Sequence, residues 1–231
     1  DCADVTEAVA KAVELVREGK ADFLMKGKLD TSALLKGVVK SGTGLNDGNL
    51  MSALFIAAIP GYNKLVAVVD GGMLTYPSLE QKKALINNTV HAFHCLGCEN
   101  PKVGVLACIE KVNPKMPETV EAAELKHMNE EGEITGCFVE GPISYDCAMS
   151  PASAKEKNFN SPAAGDCDIL IAPNIHAANI LSKALTVTCG AESAGCIIGA
   201  KCPVVISSRG SSPEEKCNSI MLAAAVVLGE K

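Results

Sequence analysis

Apolar positions recur at helical spacing over residues 5–17, 31–39, 78–96, 117–131, 175–185 and 213–229, the pattern of helices that bury one face. Between them lie short, nearly continuous apolar runs at 23–25, 54–59, 65–69, 103–108, 137–140, 169–172, 196–198 and 203–206. Runs of that length read as buried strands. Punctuation supports these boundaries. Asp30 or Thr31 caps the second helix, Pro117 opens the fourth, and Ser212 followed by Pro213 opens the last. Pro60-Gly61-Tyr62-Asn63 is a turn that pairs 54–59 with 65–69. The least regular stretch, 40–48, is expected to act as a hinge between two lobes. Strands alternating with amphipathic helices predict an α/β protein with a largely parallel sheet, in which ligands bind beyond the carboxyl ends of strands.

Composition narrows the function. The 231 residues carry a net charge of −6, only 3% aromatic side chains and no tryptophan. Nucleic-acid binding, which needs a basic surface and stacking platforms, is set aside. The most apolar segment, 220–228, is far shorter than the roughly 20 residues that span a bilayer, so no membrane association is expected. The chain opens on the acidic Asp1-Cys2-Ala3-Asp4 without a methionine. That start predicts no signal peptide and points to a processed or partial product. Its 11 cysteines are odd in number and mostly sit in apolar runs (Cys108, Cys137, Cys196, Cys202), which predicts reduced thiols and a cytoplasmic location.

Of the 21 basic residues only two are arginines, Arg17 and Arg209. Ser208 and Arg209 fall where the apolar run 203–206 ends and the helix 213–229 begins. Unpaired backbone N–H groups and the positive helix terminus favour anions at such a place. The guanidinium fork suits phosphate or carboxylate; the plainer alternative is an arginine capping a surface loop. Lys26, Lys28 and Thr31, in Lys-Gly-Lys-Leu-Asp-Thr, form a second candidate anion site of the same kind, or else are solvated lysines beside a cap. His91, His94, Cys95 and Cys98 occupy one helical face, but four ligands from a single helix spread over about 10 Å and cannot meet at one tetrahedral ion. Packing roles, and no metal, are expected for them.

The segments MKGKLDTSALLKGVV (25–39), DGGMLTYPSLEQK (70–82), EKVNPKMPETVEAAEL (110–125), EGPISYDCAMSPASA (140–154), SPAAGDCDILIAPNIHAANIL (161–181) and GAKCPVVISSRGSSPEEK (199–216) together resemble the phosphotransacylase family. The closest likeness is to its phosphate butyryltransferase-like branch. The resemblance covers nearly the whole chain in family order. It implies an enzyme that moves an acyl group between coenzyme A and inorganic phosphate, with no tightly bound cofactor. It also implies a fold like that of isocitrate and isopropylmalate dehydrogenases, two α/β lobes around a cleft, paired as a homodimer. By that likeness residues 1–41 and 199–231 form the first lobe and 42–198 the second. Members of the family usually carry further residues ahead of this chain's start, so a truncated sequence, a fragment or a shortened variant is expected.

Carried over residue by residue, the resemblance gives Glu215 the role of general base toward the coenzyme A thiol. Ser208 and Arg209 hold the attacked acyl oxygen and the phosphate, aided by N–H groups of Gly210, Ser211 and Ser212. Acetyl-preferring relatives have Asp where Glu215 stands, which marks the butyryl-type branch; taken alone, Glu215 is also an ordinary first-turn helix carboxylate. Gly141, Asp146, Asn174 and Asn179 are expected to line the cleft from the second lobe, although the family's Gly-Asn is Ala178-Asn179 here. A non-catalytic acyl-CoA-sensing module, of the kind attached to malic enzymes, is the alternative. A dehydrogenase on the same fold ranks last, for want of metal-binding aspartates and an arginine-rich pocket.

Overall fold

Asp4 accepts the backbone N–H of Glu7 at 2.8 Å and so starts the first helix, α1 (Val5–Arg17). Local signals of this kind set most boundaries in the computed structural model, which describes residues 2–46, 48–207 and 210–230. The chain continues with β1 (Leu24–Met25), α2 (Thr31–Val38), β2 (Ser52–Ala58), β3 (Leu65–Val69), α3 (Leu79–Cys95) and β4 (Lys102–Leu106). There follow α4 (Pro117–Glu130), β5 (Phe138–Ile143), α5 (Tyr145–Met149), α6 (Pro151–Glu156), β6 (Ile169–Ile171) and α7 (Ile175–Lys183). A π-helical turn (Ala184–Thr188), β7 (Glu192–Ile198), β8 (Val204–Val205) and α8 (Pro213–Gly229) complete it. Ser78 and Gln81 form a reciprocal capping box at the start of α3, and Gly61 adopts φ 85° in the turn between β2 and β3.

Among the described residues the strands form one continuous sheet in the order β1-β8-β7-β2-β3-β6-β4-β5. β1 with β8, β3 with β6, β6 with β4 and β4 with β5 run parallel. β8 with β7, β7 with β2 and β2 with β3 are antiparallel. The largely parallel sheet expected from the sequence is thus a single mixed sheet, with the antiparallel strands at its middle.

The two faces of this sheet are covered differently. Successive strand residues point to opposite faces, and on one face α3, α4 and α8 bury a shared apolar cluster that includes Leu54, Ile56, Val69, Val105, Ile171, Cys196 and Val226. On the other face the cover comes in two patches. α1 and α2 pack Val9, Val13, Leu34 and Val38 on Leu24, Ile197 and Val204. α5, α6 and α7 pack Cys147, Ala154 and Ala178 on Ala57, Val66, Val68 and Leu170. Each fully buried Leu, Ile or Val of these patches contributes roughly 1.5–3 kcal/mol.

Three differences from the sequence reading have physical causes. α5 and α6 are too short to show a helical period. β7 begins at Glu192 rather than Cys196 because its polar and glycine-bearing first half pairs along the full length of β2. The segment 40–48 is not loosely strung. Leu45 is fully buried, its N–H donates to Val38 O at 2.7 Å, and its carbonyl accepts from Lys201 N at 2.8 Å. Asp47 lies outside the described residues.

Candidate active site

Parallel pairing puts the two candidate anion-binding segments side by side. Leu24 is in register with Val204 and Met25 with Val205, and Lys26 N donates to Val205 O at 2.9 Å. Both strands therefore end together, and both chains turn from there toward a helix. At these strand ends lies an open depression of about 640 Å³ lined by Met25, Lys26, Lys28, Asp30, Ser207 and Lys216 among others. Three lysines against one aspartate make its wall locally cationic in a chain that is acidic overall.

Lys26 is held in place. Its Nζ donates to Gly27 O at 3.3 Å and Leu29 O at 3.1 Å, so the ammonium bridges the loop that leads to α2. Asp30 is the residue before that helix and Thr31 its first residue. On the other side Ser212 caps α8 by accepting Glu215 N at 3.1 Å, and Pro213 takes the first helical position. Ser211 is buried and Glu215 half-buried in the first turn. Glu214, beside it, has its carboxyl held below the usual range by a backbone N–H and by the Ser212 hydroxyl. Ser208 and Arg209 lie outside the described residues; Ser207 and Gly210 flank them in the chain. Thr31, Ser212 and Glu215 do not themselves line the depression.

Comparison with known proteins shows the family. Residues 3–224 match the phosphate acetyl/butaryl transferase family. The chain belongs to that family. It is 41% identical to the phosphate butyryltransferase of Clostridium acetobutylicum, over 96% of this chain and 74% of that protein. It is 47% identical to the phosphate acetyltransferase of Thermotoga maritima, over 94% of this chain and 74% of that protein. A branched-chain phosphotransacylase from Enterococcus faecalis superposes with a TM-score of 0.91 at 34% identity, covering 98% of this chain and 81% of that one.

In this phosphate acyltransferase, sequence reasoning missed Lys216 and Ser207. The signal for Lys216 was present: it lies four residues after Ser212, and its N–H bonds to Ser212 O at 3.2 Å. Residues one helical turn apart share a side of the helix.

Gly141, Asp146, Asn174 and Asn179, expected to line the cleft, lie away from this depression. Gly141 is buried in β5, at the opposite edge of the sheet from β1, with Ala122 O and Val105 Cβ against its α-carbon. That is a packing position rather than a lining one. Asp146 pairs with Lys157, whose ammonium also reaches Glu110 at 2.9 Å and Ser144 Oγ at 3.1 Å. The Ser144 hydroxyl and then Lys157 lower the Asp146 carboxyl to about 2. Asn174 caps α7 by accepting Ala177 N at 3.1 Å, and Asn179 donates to Gly71 O at 3.1 Å. None of these four lines the depression that holds Lys26. Their neighbours Tyr145, Pro173 and Ala177 instead surround a separate apolar cavity of about 400 Å³ at the ends of β4 and β6. A further cavity of about 820 Å³ between α1 and α2 contains none of the predicted site residues.

Proposed function

We propose that this chain catalyses acyl-CoA + phosphate = acyl phosphate + CoA with a short-chain acyl group. The observation that carries the reading is the cationic depression built where β1 and β8 end together, in a chain of the phosphate acetyl/butaryl transferase family. The named relatives are transferases, which favours an enzyme over a sensing module.

Toward acyl-CoA, Glu215 takes the proton of the coenzyme A thiol, whose ordinary pKa is about 8.5. The thiolate attacks the acyl carbon, Ser208 and Arg209 hold the developing oxyanion, and phosphate departs onto the same guanidinium. Lys26, Lys28 and Lys216 attract the phosphate groups, with the backbone N–H groups of Gly210, Ser211 and Ser212, just ahead of α8, as further donors. Coenzyme A is a substrate here, and no tightly bound cofactor enters the steps. Residues 1–41 with 199–231 and residues 42–198 act as two lobes. We place the enzyme in the cytoplasm as a homodimer. The 11 free cysteines suit a reducing compartment, and no helix among the described residues is long and apolar enough to cross a membrane.

The test is phosphate-dependent release of free thiol from acetyl-, propionyl- and butyryl-CoA. Turnover that falls by about 10²–10³ in Arg209→Gln is the expected result. Turnover within a few-fold of the parent would remove Arg209 from the mechanism, and no thiol release from any of the three would remove the reaction.

A further inference from the structure

We propose that His91, Cys95 and Glu230 form a zinc site that joins the carboxyl ends of α3 and α8. His91 and Cys95 are one turn apart on α3, and the Cys95 Sγ lies 3.9 Å from His91 Nε2. Glu230 follows the last residue of α8 and brings Oε1 to 3.3 Å from the same nitrogen. One ligand atom from each residue lies within 4.8 Å of the other two. A tetrahedral zinc with bonds of about 2.0–2.3 Å places its donors roughly 3.3–3.6 Å apart, so the two separations from His91 Nε2 are within a few tenths of an ångström of that spacing and rotation of exposed side chains closes the third.

The helix packing is what assembles the set. A Cβ on Gly229 would lie 2.2 Å from Cys95 O and 2.5 Å from Cys95 Cα. Only a residue without that atom lets α8 settle directly on the end of α3, and the next residue is Glu230. The obstacle to four ligands on one helix disappears as well. His94 Nε2 is engaged by Gly136 O at 2.7 Å and Cys98 lies beyond the end of α3, which leaves two ligands on α3 and a third from another element.

Imidazole, thiolate and carboxylate together suit a borderline-soft ion with no preference beyond a tetrahedron, which is zinc. Cys95 loses its proton to solvent on binding, His91 coordinates through neutral Nε2, and Glu230 contributes one oxygen. His91 and Glu230 also line a cavity of about 220 Å³, with Asn49, Asn88 and Gly199, so water has room at the fourth position.

Binding is read without turnover. The purified chain is titrated with Zn²⁺ in competition with a chromophoric chelator, and with Co²⁺ for the thiolate charge-transfer and tetrahedral visible bands. One tight equivalent is expected. Cys95→Ser and His91→Gln should weaken it at least about 100-fold and Glu230→Gln at least about 10-fold, since even loss of an outer partner costs a metal site 10–100-fold. The exposed Cys2, Cys108, Cys189 and Cys217 serve as an internal control, because metal held by them survives all three substitutions. No tight equivalent in the parent, or an affinity unchanged in His91→Gln and Glu230→Gln, overturns the proposal. Both of those residues are exposed, so these variants keep the fold and decide the matter even if Cys95→Ser does not.

Discussion

Replacing Gly141 by alanine separates a packing role from a ligand-lining one. The added Cβ would lie 2.9 Å from Ala122 O, 2.9 Å from Val105 Cβ and 3.2 Å from Ala122 Cβ. None of these atoms is the far end of a flexible side chain. One is the carbonyl of a fully buried α4 residue and another the β-carbon of a β4 core residue, so α4 or β4 must shift as a unit. Overpacking in a tight core costs about 1–3 kcal/mol, and two contacts against rigid atoms place this change in the upper half, about 2–3 kcal/mol. For a domain of this size 1 kcal/mol moves the melting temperature by roughly 2–4 °C. The expected fall is therefore about 4–12 °C by calorimetry, with a matching drop in the urea midpoint and an unchanged slope. Gly141 sits at the sheet edge opposite β1, so kcat and KM of the molecules that remain folded should stay within about 2-fold of the parent, well under the 1.4 kcal/mol that a tenfold change represents. A melting temperature within 1–2 °C of the parent (about 0.5 kcal/mol), together with a raised KM for acyl-CoA, would refute the packing assignment and return Gly141 to the cleft.

Ser212→Ala removes the hydroxyl that accepts Glu215 N at 3.1 Å, and should cost about 1 kcal/mol in chemical denaturation; a loss below a few tenths would mean that the cap is replaced. Asp146 should titrate near 2 in a carbon-detected NMR experiment on its carboxyl. Its folded value is depressed, so the stability it contributes is complete above the ordinary aspartate range near 4 and is lost as pH falls toward 2. Lys157→Met should return that titration to the ordinary range only in part, because the Ser144 hydroxyl is the larger cause.

Most element positions were legible from local chemistry. α1 and α8 begin and end where caps and periodicity place them. The hairpin of β2 and β3 follows from two nearly continuous apolar runs around Pro60-Gly61, and the family follows from motifs spread along the chain. Each of the two candidate anion sites was also visible by itself, as a strand end followed by a capped helix. Short helices such as α5 and α6 escaped because one or two turns carry no period.

What only the tertiary structure decided is adjacency. Local pattern says that 24–25 and 204–205 are strands, but their pairing across 180 residues depends on which edges remain open after every other strand has found a partner. That pairing brings Ser207 and Lys216 to the depression that holds Lys26 and Lys28. Gly141 shows the converse, since a glycine in a motif looks the same whether a ligand or a helix backbone presses on it. Only the position of Ala122 tells them apart. His91 and Cys95 were visible as a pair, while Glu230 reaches them because two helix ends meet where Gly229 has no side chain. Sequence thus determined the elements and the chemistry each one carries, because those depend on neighbours within a few residues. The fold determined which chemistries share a site, because that depends on contacts between residues far apart in the chain.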